Sequence, residues 1–420
     1  MVQKTVLQNG IRVVTEQLPH TESVSIGLVI GRGSRHENAQ EQGITHFIEH
    51  MLLKSGDADS SLELAKKVDA IGGPLNAFTG REYSFIHLHT ITDKFPAATA
   101  LLASLIHSVN FSRAAVEHER QIILHEINHL CEDGSEFIHD LFSRTFWGTS
   151  TLGNPVTGSL ESVAGLEPQR LEQFYRHEFL NECLIVSVAG NVSHATVVAA
   201  FVPILEHIER CTRVHDSTSV SMHKTVALHP RPDSQTQICF GFPALNQTDP
   251  RRYAAILLDT IWGGGMSSRI FQRIREKHGW AYSLYSYLNS YSDSGAMVTA
   301  VETDISHAFE VVEALCDEAD TLVAGGITQD DLNAARQLVQ VRFKMGLDNT
   351  HVRMKRLAMN EFYRNEYIEV KELLHVLDGV STQDVWGLAA DLMRDKYLVA
   401  CVLGDVDTAN GALHNIGLKH

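Results

Sequence analysis

The chain has 420 residues, 44% hydrophobic and 20% charged, which suits two cored domains and excludes a disordered polymer. Its 35 Lys and Arg against 51 Asp and Glu leave a net charge of −16, a poor match to nucleic acid or anionic membranes and a better one to basic partners. Ten prolines and 29 glycines exclude a collagen-like or Pro-rich chain.

The amino terminus, MVQKTVLQNGIRVV, carries neither the apolar block of a signal peptide nor the character of a transit peptide, and no run of 18 apolar residues follows. A cytoplasmic, bacterial-type protein with no membrane span is expected. From there, β-rich apolar runs predict strands at 10–15, 23–30, 83–91 and 183–190. Periodic segments predict helices near 40–54, 60–71, 94–109, 112–131 and 168–179. Strands and helices cluster instead of alternating, which indicates an α+β class with mostly antiparallel sheets and helices on one face. The polar stretch that begins at 212 contains the expected linker, 213–222, and KTVALH then opens the second half. The six cysteines are scattered without a CxxC, and Cys183, Cys239 and Cys401 sit in apolar runs, as buried free thiols would.

The chain repeats itself. LIVSVAGNV (184–192) has a counterpart in LVACVLGDV (398–406), placing Gly190 on Gly404 at an offset of 214. The same offset places Gly27 of SVSIGLV on Gly241 of QICFGF, and Leu171 and Phe174 on Val385 and Leu388. Two homologous αβ domains follow, at 1–212 and 223–420.

Chemistry concentrates in GITHFIEHMLLKSG, which contains His46, Glu49 and His50 as H-x-x-E-H. With 23 histidines in 420 residues, this pattern arises by chance roughly 0.15 times. Ile44, Phe47, Ile48, Met51 and Leu52 form an apolar helical stripe, so His46, Glu49 and His50 share the opposite side. Two imidazoles at i and i+4 can reach one metal ion, and the carboxylate can approach a water on it. A catalytic zinc needs a third protein ligand and one open position. VEHERQIILHEINHLCED supplies Glu119 and Glu126, seven apart and on one helical face, the former suited to a supporting position and the latter to ligation. His118, His125 and His129 are equally good ligands by composition, and spacing does not choose among them.

H-x-x-E-H is the inverted zinc-protease motif, and the chain resembles the pitrilysin/insulinase family of metallopeptidases over essentially its whole length. It is most similar to the short subfamily of bacterial processing-protease-like enzymes and the catalytic subunit of mitochondrial processing peptidase. NGIRVVTE, GITHFIEHMLLK, GGPLNAFTGREYS and ERQIILHEI carry the resemblance. In that family a glutamate about 76 residues after the second histidine binds zinc, and Glu126 lies 76 after His50. The resemblance implies one zinc per chain on His46, His50 and Glu126, with Glu49 as general base and Glu119 in support. It also implies that Asn76 and Ala77 pair with the substrate backbone, and that Arg275 and Tyr282, in SSRIFQRIREKHGWAYSLYS, bind the reacting carbonyl in cis or in trans. YSFIHL (83–88) departs from the Thr and Tyr residues that members often carry on that strand. The second half should lack the metal motif, and His46 and Glu49 do map to Thr260 and Gly263. The expected function is a zinc metalloendopeptidase cutting unfolded, preferably basic, peptides inside a chamber closed by two chains. A homodimer is expected; the alternatives are a subunit of a heteromeric processing peptidase and a non-catalytic core-protein-like member.

Overall fold

The computed structural model describes residues 1–54, 58–208, 223–233, 235–406, 413 and 416–419, with 58–61 as backbone only. The expected linker at 213–222, and Cys211, lie outside the described residues. The chain divides into two compact units. The first takes Met1–His129, the chain from Asn154 into the 209–222 stretch, and Lys344–Tyr367. The second takes Leu130–Gly153, the chain from that stretch to Phe343, and Ile368 onward.

In the first unit, strands β1 (Val2–Val6), β2 (Arg12–Gln17), β3 (Ser23–Ile30), β4 (Leu75–Thr79), β5 (Ser84–Ile91) and β6 (Leu184–Gly190) form one sheet in the order β1-β2-β6-β3-β5-β4. Only the β2–β6 pair is parallel. Alternate residues of β3 serve opposite faces, as strand geometry requires. Val24, Ile26, Leu28 and Ile30 join the core built with helices α1 (Ile44–Leu53), α2 (Ala58–Ile71), α3 (Phe95–His107) and α4 (Arg113–Glu132). Val29, with Phe85, Ile185 and Ala189, packs on the other face against Met354, Leu357, Ala358 and Phe362 of the helix Thr350–Arg364. Gly27 permits that close approach, because a Cβ there would lie 2.3 Å from Met354 Sδ and 2.7 Å from the Phe85 ring.

The second unit repeats this plan without the first strand. Strands β7 (Thr225–Pro230), β8 (Thr236–Pro243), β9 (Ala281–Ser290), β10 (Gly295–Thr303) and β11 (Val399–Gly404) are ordered β7-β11-β8-β10-β9, with β7–β11 parallel. Ile238, Phe240 and Phe242 of β8 face the core with the helices Arg252–Trp262 and Ala308–Val323. Cys239 faces the other way, toward Phe142 of helix α5 (Gly134–Trp147). A Cβ on Gly241 would lie 2.7 Å from the Phe142 ring and 2.7 Å from Met297 O. The α+β duplication is therefore visible in matching strand orders. In both sheets the repeat-equivalent glycine lies under a single helix that comes from the other half of the sequence. That second covered face, and the helical character of 134–147, were not in the sequence reading. Cys183, Cys239 and Cys401 are buried free thiols, as expected.

Candidate metal centre

The metal motif lies on α1, which buries Ile44, Phe47, Ile48, Met51 and Leu52 as the apolar stripe demands. The opposite side is not a solvent face. His46 is 7% exposed, and Glu49 and His50 are half-buried.

Helix α4 lies against that side. Val116, Ile123 and Ile127 bury its apolar stripe and carry Glu119 and Glu126 to α1. Glu126 Oε1 lies 3.7 Å from His46 Nε2, and Glu126 Oε2 lies 3.4 Å from His50 Nε2. One donor atom from each of His46, His50 and Glu126 falls within 4.8 Å of the others, the one such cluster among the described residues. Tetrahedral zinc with bonds of about 2.0–2.1 Å sets its ligands about 3.3 Å apart, so small side-chain adjustments close this set on one ion. His118, His125 and His129 are exposed and lie outside the cluster. Glu119 is 3% exposed, with Oε2 at 3.4 Å from His50 Nδ1 and Oε1 at 3.6 Å from Lys54 Nζ. His50 thus presents one ring nitrogen to each glutamate, the arrangement in which an outer carboxylate orients a metal-binding imidazole.

The electrostatics favour a cation. Burial, with the neighbouring His50, pushes His46 down to about 4, so this imidazole is neutral and free to ligate. Burial also acts against charge on His50, but Glu119 and Glu126 outweigh it and hold His50 up at about 9. A hydrogen bond from His50 keeps Glu126 below its ordinary range. Three carboxylates around two imidazoles are thus balanced by Lys54 beside Glu119 and by a proton on His50, and a divalent ion can take the place of that proton.

The strand β4 borders the cluster. Thr79 Oγ1 donates to Glu49 Oε2 at 2.6 Å, while burial raises the Glu49 carboxyl above its ordinary range. β4 ends the sheet, pairing with β5 alone. Asn76 is exposed on it, and Ala77 packs against the core. The turn before β4 needs its glycines: Gly72 has φ of 77°, and a Cβ on Gly73 would lie 1.7 Å from His89 O.

Arg275 and Tyr282 belong to the second unit. Arg275 lies in the helical turns Phe271–Lys277, its guanidinium 5.1 Å from the Phe271 ring centroid and 5.8 Å from that of Tyr282. Along β9, Ser283 pairs with Glu302 and Ala281 with Thr303, leaving Tyr282 as the extra residue of a bulge, 79% exposed. Bulges re-aim side chains in this way. The structure therefore brings Arg275 and Tyr282 to each other, and His46, Glu49, His50, Glu119 and Glu126 to one another. Sequence reasoning missed Thr79, whose partner lies 30 positions away, and Glu37, whose carboxylate holds the start of α1.

A family model described as Insulinase (Peptidase family M16) matches residues 12–159, and one described as Peptidase M16 inactive domain matches 165–339. An uncharacterized zinc protease of Streptomyces coelicolor is 33% identical over 99% of this chain and 92% of its own length. The chain belongs to peptidase family M16. This M16 chain is also 31% identical to YmxG, an uncharacterized zinc protease of Bacillus subtilis, over 96% of this chain and 98% of that one. Three solved structures share the fold of the M16 chain. A Pseudomonas fluorescens peptidase M16 inactive domain has a TM-score of 0.89 at 16% identity, covering 97% of this chain and 98% of that one. A protease of Helicobacter pylori has 0.88 at 18%, over 96% and 99%. A chain of complex III2 from Candida albicans has 0.81 at 20%, over 99% of each. One fold thus serves proteases and a respiratory complex, so function must be argued from the site. Among the described residues, no helix is long and apolar enough to cross a membrane.

Proposed function

We propose that this M16 chain is a zinc-dependent endopeptidase that hydrolyses unfolded peptides inside a chamber closed by two copies of the chain. The convergence of His46, His50 and Glu126, with Glu49 held beside them by Thr79, carries this reading. His46, His50 and Glu126 would hold one zinc ion. Zinc bound there polarises the scissile carbonyl and lowers the pKa of water toward roughly 7. Glu49 takes a proton from the attacking water and passes it to the leaving amine, a role served by a carboxyl that burial has raised. Thr79 occupies one of its oxygens and leaves the other for that proton. An extended peptide adds as a strand to the open edge of β4, beside Asn76 and Ala77. Arg275 and Tyr282 donate to the developing oxyanion, from the same chain or from its partner.

The net charge of −16 favours basic peptides if it lines the chamber. A quenched, unstructured basic peptide should be cut by the zinc-loaded protein and spared after chelation, and a folded protein of similar charge should resist. Cleavage should weaken with salt for basic peptides and not for neutral ones. Cutting that survives full removal of metal would overturn the assignment.

The likeness to a complex III2 chain favours a second reading, a structural subunit without catalysis. An assembled donor cluster and a positioned Glu49 argue for the enzyme. A lone purified chain that is dimeric and active would dispose of both the scaffold and the obligate heteromer.

Glu119 gives a graded check. In Glu119→Ala, His50 loses the carboxylate at its Nδ1. Zinc affinity should fall about 10–100-fold in competition with a chromophoric chelator, the usual effect of losing such a partner. Unchanged affinity would remove Glu119 from the site.

A further inference from the structure

What aims α1 at α4 and β4 is not in the motif itself. The helix starts at Gly43, which has no side chain to cap it and sits at φ of 87°. A Cβ there would lie 2.5 Å from Thr157 O and 2.9 Å from Gly158 Cα, so the starting point cannot slide. Ile44 N–H donates to Glu41 O at 3.0 Å, and two further donors at the helix start go to Glu37, six residues before Gly43. Its Oε2 accepts from Gly43 N–H at 2.8 Å and its Oε1 from Thr45 N–H at 2.9 Å. Glu37 is 3% exposed, and burial pushes its carboxyl up to about 7 against the pull of both backbone donors.

The segment that carries Glu37 is seated on the β4–β5 hairpin. A Cβ on Gly33 would lie 2.4 Å from Gly80 O, so only glycine rests there. Ser34 N–H donates to Gly80 O at 3.1 Å and Arg35 N–H to Arg81 O at 2.8 Å. The Arg35 guanidinium pairs with Glu82 at 2.5 Å, both side chains 4% exposed, and Tyr363 OH donates to the other Glu82 oxygen at 2.9 Å. The hairpin adjoins Thr79, which grips Glu49. The contacts close a circuit: hairpin to the 33–37 segment, Glu37 to α1, Glu49 of α1 back to β4.

We infer that Glu37 is a positioning residue of the peptidase site, clamping the start of α1 to a segment seated on the β4–β5 hairpin and so aiming His46 at Glu126 and Glu49 along β4. The inference rests on the peptidase reading and adds a residue outside the motif to it. A plain helix cap would alter stability alone. A positioning residue also alters the metal and the turnover, because displacements near 1 Å cost about 100-fold in rate.

The test uses full-length, zinc-loaded protein with Glu37→Gln, Glu37→Asp and, as a control, Ser193→Ala. Gln keeps the shape but offers one acceptor oxygen. Asp keeps the charge but is too short to reach both N–H groups. Ser193 caps the helix His194–Leu205 in the same unit and stands outside the circuit. Both Glu37 variants should lower kcat on a quenched peptide about 10–100-fold with KM within about twofold, and weaken zinc in chelator competition about 10-fold. Ser193→Ala should lower the thermal midpoint and leave kcat and zinc affinity alone. If Glu37→Gln does not fold, Glu37→Asp carries the same comparison. Glu37 variants that match wild type in kcat and zinc affinity, or that merely track Ser193→Ala, overturn the inference. If wild type cuts no peptide, the peptidase reading fails, and zinc affinity alone decides whether Glu37 positions the cluster.

Discussion

Glu49→Gln is expected to lower peptide cleavage by about 10²–10⁴-fold while zinc content stays at the wild-type level. Glu49 lies outside the donor set of His46, His50 and Glu126, so the metal loses no ligand. Glutamine keeps the length of the side chain and an oxygen for the Thr79 hydroxyl, so the geometry survives. What it removes is the ability to take a proton. The substitution should not cost stability, and the sign follows from the raised carboxyl. A carboxyl raised on folding favours the folded state below its unfolded pKa and loses that contribution as pH rises through the folded value. At neutral pH the charged form is the disfavoured one in the folded protein, and a neutral amide relieves it. Equal or higher thermal midpoints of the metal-free protein, with lost turnover of the zinc-loaded one, are therefore expected. A variant that loses zinc along with activity would make Glu49 part of the metal shell; one that still turns over at the wild-type rate would remove it from the chemistry.

The second large effect is on the fold. Gly27→Ala and Gly241→Ala each place a methyl group under the helix that crosses the sheet, and overpacking of this kind costs about 1–3 kcal/mol. The two sites should respond differently to relief. At Gly27 the nearest atoms are the Met354 thioether and the Phe85 ring, both side chains that can shift. Met354→Ala should therefore cost less in the Gly27→Ala background than in wild type. At Gly241 the Met297 carbonyl, part of the neighbouring strand, stands as close as the Phe142 ring. Truncating Phe142 leaves that clash in place, so Gly241→Ala should stay at the upper end of the range. Thermal midpoints of the four single and two double variants measure both couplings. Equal relief at both glycines would contradict the packing described.

The strands were legible where β-branched residues run together, as in SVSIGLVI and LIVSVAG, and the offset of 214 paired them correctly across the two sheets. β1 was not, because VQKTV is short and largely exposed at the sheet edge. The segment 134–147 has helical apolar spacing in Ile138, Leu141 and Phe142, but which sheet it covers depends on packing that no local pattern states. At the site, His46, Glu49 and His50 were legible because their spacing is chemistry in itself. Glu126 was not separable from His118, His125 and His129 by composition. Packing of the stripe of Val116, Ile123 and Ile127 does separate them, since it buries Glu119 and sets the partly exposed Glu126 against His46 and His50, while the three histidines stand outside the cluster. Thr79 and Glu37 act across a strand edge and from before a helix, so periodicity carries no trace of either.

The most direct test of the central claim is to titrate metal-free protein with zinc while following cleavage of an unstructured basic peptide, beside Glu126→Gln. The expected result is activity that rises to a plateau at one zinc per wild-type chain, with Glu126→Gln binding zinc far more weakly and cutting little at the same ratio. Wild-type cleavage before zinc is added, or equal curves for the two proteins, would contradict a peptidase centre built on His46, His50 and Glu126.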